Sequence, residues 1–147
     1  MIVLDANILI RAVLGRRVRH LLETYSARGI TFYAPDVAYA DAAKYLPPLL
    51  ISRQIPDTDL PAAIQFVQQF VEIVDREMYG FFEEEARERL LGRDEEDWPV
   101  LASALALNSA LWTEDTDFFG VGIPVWTTNR IEIFLKTNTK STEGDEA

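Results

Sequence analysis

Three apolar residues in a row, Ile2-Val3-Leu4, run straight into an acid, Asp5. No polar residue alternates within the run, so it suits a strand covered on both faces, as in a parallel sheet. The arrangement returns far along the chain, where Ala110-Leu111-Trp112-Thr113 runs into Glu114 and Asp115. Between the two, short apolar or β-branched runs alternate with segments of helical periodicity. That alternation most restricts the fold, because parallel neighbours need crossovers long enough to hold helices. The expectation is an α/β domain with a mostly parallel central sheet flanked by helices.

Helical spacing predicts helices over about 8–14 and 16–28, the second with Val18, Leu21, Leu22 and Tyr25 on one face and Gly29 as its stop. Residues 31–34 read as a strand. Pro35-Asp36 opens a helix expected to break or kink at Pro47-Pro48, with a further helical stretch over 49–54. Asp57-Thr58-Asp59 offers caps for a helix over 60–70. Val71-Glu72-Ile73-Val74 alternates as a strand does. Residues 78–91 read as one helix, the acidic run over 83–96 as a solvated helix surface, and 97–107 as a helix rich in alanine and leucine. A short strand over 124–126 and a helix over 131–135 close the pattern. At 147 residues the chain can bury one sizeable core. One compact domain is expected over 1–135, and the polar tail over 136–147 is expected to be disordered.

Composition removes several kinds of chemistry. There is no cysteine and only one histidine, His20, so thiolate and multi-histidine metal sites are excluded. No apolar run approaches the ~20 residues of a membrane span. No signal peptide is visible, and a cytoplasmic location is expected. The net charge of −10 argues against a surface that coats nucleic acid at large. The first thirty residues differ, with Arg11, Arg16, Arg17, Arg19 and Arg28 against Asp5 and Glu23.

In an open α/β sheet the ligand site lies beyond the carboxyl ends of the strands, near a switch in strand order. If the strands ending in Asp5 and Asp115 are parallel neighbours, both acids lie on that edge. Asp97 begins a helix, and helices that follow strands begin there too. Asp41 lies in the first turns of the helix opened by Asp36. Acids gathered this way repel one another and are costly to bury unpaired. A hard divalent cation, Mg²⁺ or Mn²⁺, relieves both difficulties.

Each acid also has a plain structural reading. Asp97, with Pro99 in the first turn, reads equally as a helix N-cap. Asp117 suits a turn cap, Asp36 a helix cap, and Glu114 and Asp41 solvated side chains. Asn7 either caps the next helix or orients Asp5. Asp5, set among apolar neighbours, is the hardest to explain structurally.

MIVLDANILI near the start, DWPVLASALAL at 97–107 and LWTEDTDFF at 111–119, taken together and in that order, resemble the PIN domain family. Its members are compact, metal-dependent, mostly RNA-cleaving nucleases, and they include the VapC-type toxins of bacterial toxin–antitoxin pairs. The resemblance spans roughly residues 1–135. It places the family's first acid, of a D-x-N motif, on Asp5 with Asn7 as partner. It places the third on Asp97 and the fourth on Asp115, with Thr113 before it and Asp117 as an auxiliary acid. The second acid, usually a glutamate, falls on Asp41. Aspartate is one methylene shorter, so this position is expected to reach a metal through water.

The resemblance implies a Mg²⁺- or Mn²⁺-dependent endoribonuclease in which Asp5, Asp41, Asp97 and Asp115 hold one or two ions, with Asp117 nearby. Two ions in such a site stand ~3.5–4 Å apart. It further implies cleavage that leaves a 5′-phosphate, an RNA substrate, an antitoxin partner and a homodimer. Arg11, Arg16, Arg17 and Arg19 are candidate phosphate contacts, or simply a solubilising surface. A non-catalytic interaction protein on the same fold is the main rival. A nucleotide-binding or phosphatase domain fits poorly: no phosphate-binding glycine loop follows the first strand, and D-x-N stands where an aspartyl-phosphate enzyme needs D-x-D.

Overall fold

The first strand, β1 (Ile2–Leu4), is buried on both faces, and its side chains divide between two cores. Ile2 and Leu4 enter one hydrophobic cluster and Val3 the other. This is the alternation of a strand covered by helices on each side. The computed structural model describes residues 1–56 and 59–139. The capping role expected of Asp57 and Thr58, and the tail from residue 140, lie outside the described residues.

After β1 come α1 (Ala6–Leu14), α2 (Arg17–Ser26), β2 (Phe32–Pro35), α3 (Asp36–Ser52), α4 (Leu60–Gln68) and β3 (Val71–Val74). The second half holds α5 (Arg76–Tyr79), α6 (Glu83–Arg89), α7 (Trp98–Leu107), β4 (Ala110–Trp112), β5 (Val125–Trp126) and α8 (Ile131–Asn138). The five strands form one parallel sheet in the order β3-β2-β1-β4-β5. The chain builds outward from β1 in one direction, then returns to its other side. The switch in strand order therefore falls between β1 and β4, which pair with Leu4 opposite Trp112. One core, including Leu9, Leu21, Leu46, Phe32 and Trp112, packs helices α1, α2, α3 and α8 on one face. The other, including Tyr79, Leu90, Leu101 and Phe118, packs α5, α6 and α7 on the opposite face.

Three elements depart from the periodicity reading. Helix α3 runs through Pro47 and Pro48 without a break. Each proline removes a backbone donor, but Ala38, Ala42, Leu46 and Leu50 share one buried stripe. Burial of that stripe outweighs the lost hydrogen bonds. The single helix expected over 78–91 is instead α5, a 3₁₀ turn over Gly80–Phe82, and α6. The turn follows from Tyr79, which is fully buried. Its hydroxyl donates to Asp36 Oδ1 at 2.6 Å, and its ring meets Trp98 edge-on at 5.5 Å. Helix α8 continues three residues past Leu135, to Asn138.

Candidate functional site

The site grows from the carboxyl ends of β1 and β4. Asp5 leaves β1 in extended conformation and caps α1, accepting from the Ile8 N–H at 3.1 Å. Its other carboxylate oxygen accepts a hydrogen bond from the Thr113 hydroxyl. Thr113, fully buried, also accepts from the Asp115 N–H at 2.9 Å. One hydroxyl thus ties the two strand-end acids together. Asp115 caps a 3₁₀ turn over Thr116–Phe118, its Oδ1 accepting from the Asp117 N–H at 2.9 Å. Phe118 is buried in the second core and pins that turn.

Asp97 arrives from the opposite side, at the end of a 3₁₀ turn over Glu95–Asp97 and just before α7. It occupies the N-cap position, yet its side chain makes no capping hydrogen bond. The cap reading of Asp97 thus holds for its position but not for its side chain, whose carboxyl is left facing the other acids. Oxygens of Asp97, Asp115 and Asp117 lie within 4.8 Å of one another. Asp117 does not cap the turn; it accepts from the Asp94 N–H at 3.4 Å.

Asp5, Asp41, Asp97 and Asp115 line one pocket of about 230 Å³, with Asn7 and Glu96 at its border. Asp41 faces it from α3, exposed and with no hydrogen bond or ion pair among the described residues. Asn7 is exposed within the first turn of α1; it neither caps that helix nor bonds Asp5, whose donors are Ile8 and Thr113. Glu114 is tied down rather than solvated: it accepts from the Thr128 N–H at 2.6 Å and faces Arg11 at 3.7 Å.

The electrostatics follow from this crowding. Burial pushes the Asp5 carboxyl up to about 6 against the pull of its two donors, and Asp115 and Glu114 add repulsion. Asp97 is pushed up to about 7, first by burial, then by the charges of Asp94, Asp115 and Asp5, and by its hydrogen bond to Asp115. None of Asp5, Asp41, Asp97, Asp115 and Asp117 joins an ion pair among the described residues. An all-oxygen set that is short of positive charge suits a hard divalent ion such as Mg²⁺ or Mn²⁺. Asp97, Asp115 and Asp117 would hold it most closely, with Asp5 beside them.

Two supports escape a reading of the sequence. Arg93 donates to the carbonyls of Asp117 and Phe119 at 2.6 and 2.5 Å, clamping the loop that carries Asp115 and Asp117. Asp94 offers its N–H to Asp117 and its charge to Asp97. Both lie in the acidic run read as a solvated helix face, and that reading holds only for α6, with its pairs Arg87–Glu83 and Arg89–Glu85. The one sequence signal was Gly92, which takes a left-handed φ of 81° and ends the helical run. Among the arginines, Arg19 is not free for a phosphate: it donates to the carbonyls of Ala12 and Val13, fastening α2 to α1.

Known structures share this architecture. A chain in the structure of VapBC2 from Rickettsia felis, bound to a DNA fragment from their promoter, superposes with a TM-score of 0.64 at 19% identity, over 86% of this chain and 98% of that one. A chain of a toxin–antitoxin complex from Klebsiella pneumoniae gives 0.62 at 18%, over 87% and 98%. A chain of FitAcB from Neisseria gonorrhoeae gives 0.55 at 17%, over 87% and 98%. Identities this low establish a shared fold alone. No curated protein sequence is a match. The sequence pattern of the PIN domain, however, matches residues 3–136, from within β1 to within α8 and across every acid of the pocket. With that match over nearly the whole described chain, and a strand-end acid cluster to go with it, the protein belongs to the PIN domain family, a family of nucleases.

Proposed function

We propose that the protein is a divalent-metal-dependent endoribonuclease of the cytoplasm, and that it serves as the toxin of a toxin–antitoxin pair. The observation that carries the enzymatic part is the gathering of Asp5, Asp97 and Asp115 at the strand-order switch with no basic partner among the described residues. An arrangement that raises two carboxyls toward neutrality is unfavourable for folding, so a role in binding cations accounts for it.

A bound Mg²⁺ or Mn²⁺ would polarise a phosphodiester oxygen and make hydroxide available near neutral pH. The chain's own residues set the stage. Asp97, Asp115 and Asp117 present oxygens on a common centre. Thr113 fixes Asp5 relative to Asp115, and Asp41 borders the pocket from α3. Asn7 and Tyr45 lie at the mouth, within reach of an entering strand.

The toxin assignment draws on the kind of complexes in which the similar structures occur, which are toxin–antitoxin complexes. An antitoxin and a second copy of this chain are the proposed protein partners. No described helix is long and apolar enough to cross a membrane.

Calorimetric titration with Mn²⁺, run beside cleavage of a labelled single-stranded RNA with and without EDTA, tests the reading. Wild type should bind Mn²⁺ and cleave, and Asp5→Asn should do both far more weakly. Equal Mn²⁺ affinity in the two proteins would remove the site assignment. Binding without cleavage would favour the second reading, an inactive interaction protein on the same fold, for which the exposed, unanchored Asp41 already speaks.

A further inference from the structure

A second pocket, of about 480 Å³, adjoins the acid-lined one and shares Asn7 and Ile10 with it. Its charge is opposite in sign, with Glu114 as the one acid in its lining. Four arginines line it, Arg11, Arg16, Arg17 and Arg53, drawn from the α1–α2 corner and from the residue that ends α3. Leu14 and Leu49 supply apolar wall. Arg11 faces Glu114 at 3.7 Å and Arg17 bonds Glu132 at 3.1 Å. Arg16 and Arg53 form no ion pair among the described residues.

Such a concentration of cations is out of keeping with a chain of net charge −10. Against that overall acidity, four arginines on one pocket give a polyanion a place to approach. A guanidinium fork matches phosphate oxygens in pairs, and an apolar wall beside it accepts the face of a base. The shared wall sets the two pockets side by side, so a single strand can lie across both.

We propose that the arginine-lined pocket holds the phosphodiester backbone of a single RNA strand, next to the linkage that enters the acid-lined pocket. The proposal rests on the nuclease reading, and it adds where the substrate lies and which residues grip it. Arg16 and Arg53 are the principal contacts. Arg11 and Arg17 add charge, while Glu114 and Glu132 hold their side chains in place.

The test is fluorescence anisotropy of a labelled single-stranded RNA of about eight nucleotides, with the full chain and its Arg16→Ala/Arg53→Ala variant, over a range of salt. Both side chains are exposed, and the variant should melt as wild type does. The expected result is a loss of roughly tenfold or more in affinity. The dependence of log affinity on log salt should become shallower by about 1.4, that is ~0.7 for each phosphate of a single strand that an arginine no longer neutralises. Arg16→Lys/Arg53→Lys should retain most of the binding. Mn²⁺ affinity by calorimetry should be unchanged, and where wild type cleaves, KM should rise with kcat held.

Unchanged RNA affinity and salt slope would overturn the proposal while leaving the nuclease reading intact. Failure of wild type to bind Mn²⁺ or to cleave would instead remove that reading, and the anisotropy comparison would still decide the pocket. A poly-glutamate peptide that binds wild type more tightly than RNA, and loses binding in the variant, would also overturn it and make the pocket a docking surface for an acidic protein segment.

Discussion

The two walls of the acid-lined pocket are built differently. On the sheet side, Asp5 and Asp115 extend strands whose register is fixed by the pairing of Leu4 with Trp112, and the Thr113 hydroxyl binds one acid to the backbone of the other. On the helix side, Asp41 stands exposed on α3 at the pocket, with no hydrogen bond or ion pair among the described residues. A strand end buried on both faces leaves its next residue little freedom. A helix surface position sets only a direction, and the side chain chooses its own rotamer. The sheet wall therefore has the precision that catalysis requires within a fraction of an ångström, and the helix wall does not.

The largest effect should come from the anchored wall. Asp5→Asn and Asp115→Asn are each expected to reduce metal-dependent RNA cleavage about a hundredfold or more, since changes merely next to a metal ligand remove ~10–100-fold. Thr113→Val sharpens the contrast, because it leaves every acid in place. It strips Asp5 of a donor and the Asp115 N–H of its acceptor, so cleavage should fall ~10–100-fold and stability by about 1–3 kcal/mol. Wild-type cleavage in Thr113→Val would show that anchoring is not what separates the walls.

Next is the clamp on the loop. Arg93→Ala frees the carbonyls of Asp117 and Phe119 without touching a carboxylate. Mn²⁺ affinity is expected to fall roughly tenfold. Arg93→Lys should recover only part of it, because one ammonium replaces a planar fork. Full affinity in Arg93→Ala would mean that Phe118 and the hydrogen bonds to Thr113 and Asp115 fix the loop without it.

The loose wall should respond less. Asp41→Ala is expected to lower cleavage by about tenfold or less, and Asp41→Glu, which adds the missing methylene, to hold or raise it. A loss in Asp41→Ala as deep as that in Asp5→Asn would break the comparison. No change in either variant would leave only the sheet-side acids and Asp97 in the site.

The smallest effect is on stability with pH, measured in EDTA. Asp5 and Asp97 keep their protons to about 6 and about 7, against 3.8 for an ordinary aspartate. Between those values the folded chain binds more protons than the unfolded one. The stability these groups contribute is full below pH ~4, is lost as pH rises through 6 and 7, and levels off above. At about 1.4 kcal/mol for each pH unit, Asp5 accounts for a loss on the order of 3 kcal/mol. Asp97, only partly buried, contributes less for each unit because solvent screens it. Melting temperature should thus drop by several degrees from pH 5 to pH 8. Asp97→Asn should flatten that slope, and saturating Mn²⁺ should reverse it because protons compete with the ion. A flat profile in wild type would mean the acids are not crowded in solution.

Much of this arrangement can be read from local pattern. Strand ends at Asp5 and Asp115 follow from uninterrupted apolar runs, and their common edge follows from the parallel sheet that alternating helices and strands demand. The start of α7 after Asp97 follows from Pro99 in its first turn. The C-terminal stop at Asn108, with φ 49°, is also a local matter of backbone preference. Pro47 and Pro48 show where local preference misleads: their effect on the helix is real, but the buried stripe of α3 is worth more.

The sequence by itself determined the alternation of strand and helix, and that Asp5 and Asp115 stand just past the ends of apolar strands, because each depends on residues within a few positions of one another. Only the tertiary structure decided that the Asp97 side chain makes no capping hydrogen bond, that Asp117 turns toward Asp97 and Asp115, and that Thr113 joins Asp5 to Asp115 across 108 positions of chain. It also decided that Arg93 grips a loop 24 residues away, and that arginines from α1, α2 and the end of α3 meet in one pocket. Those contacts arise from packing two helical layers onto one sheet, and packing brings together residues whose separation in sequence carries no periodic signal.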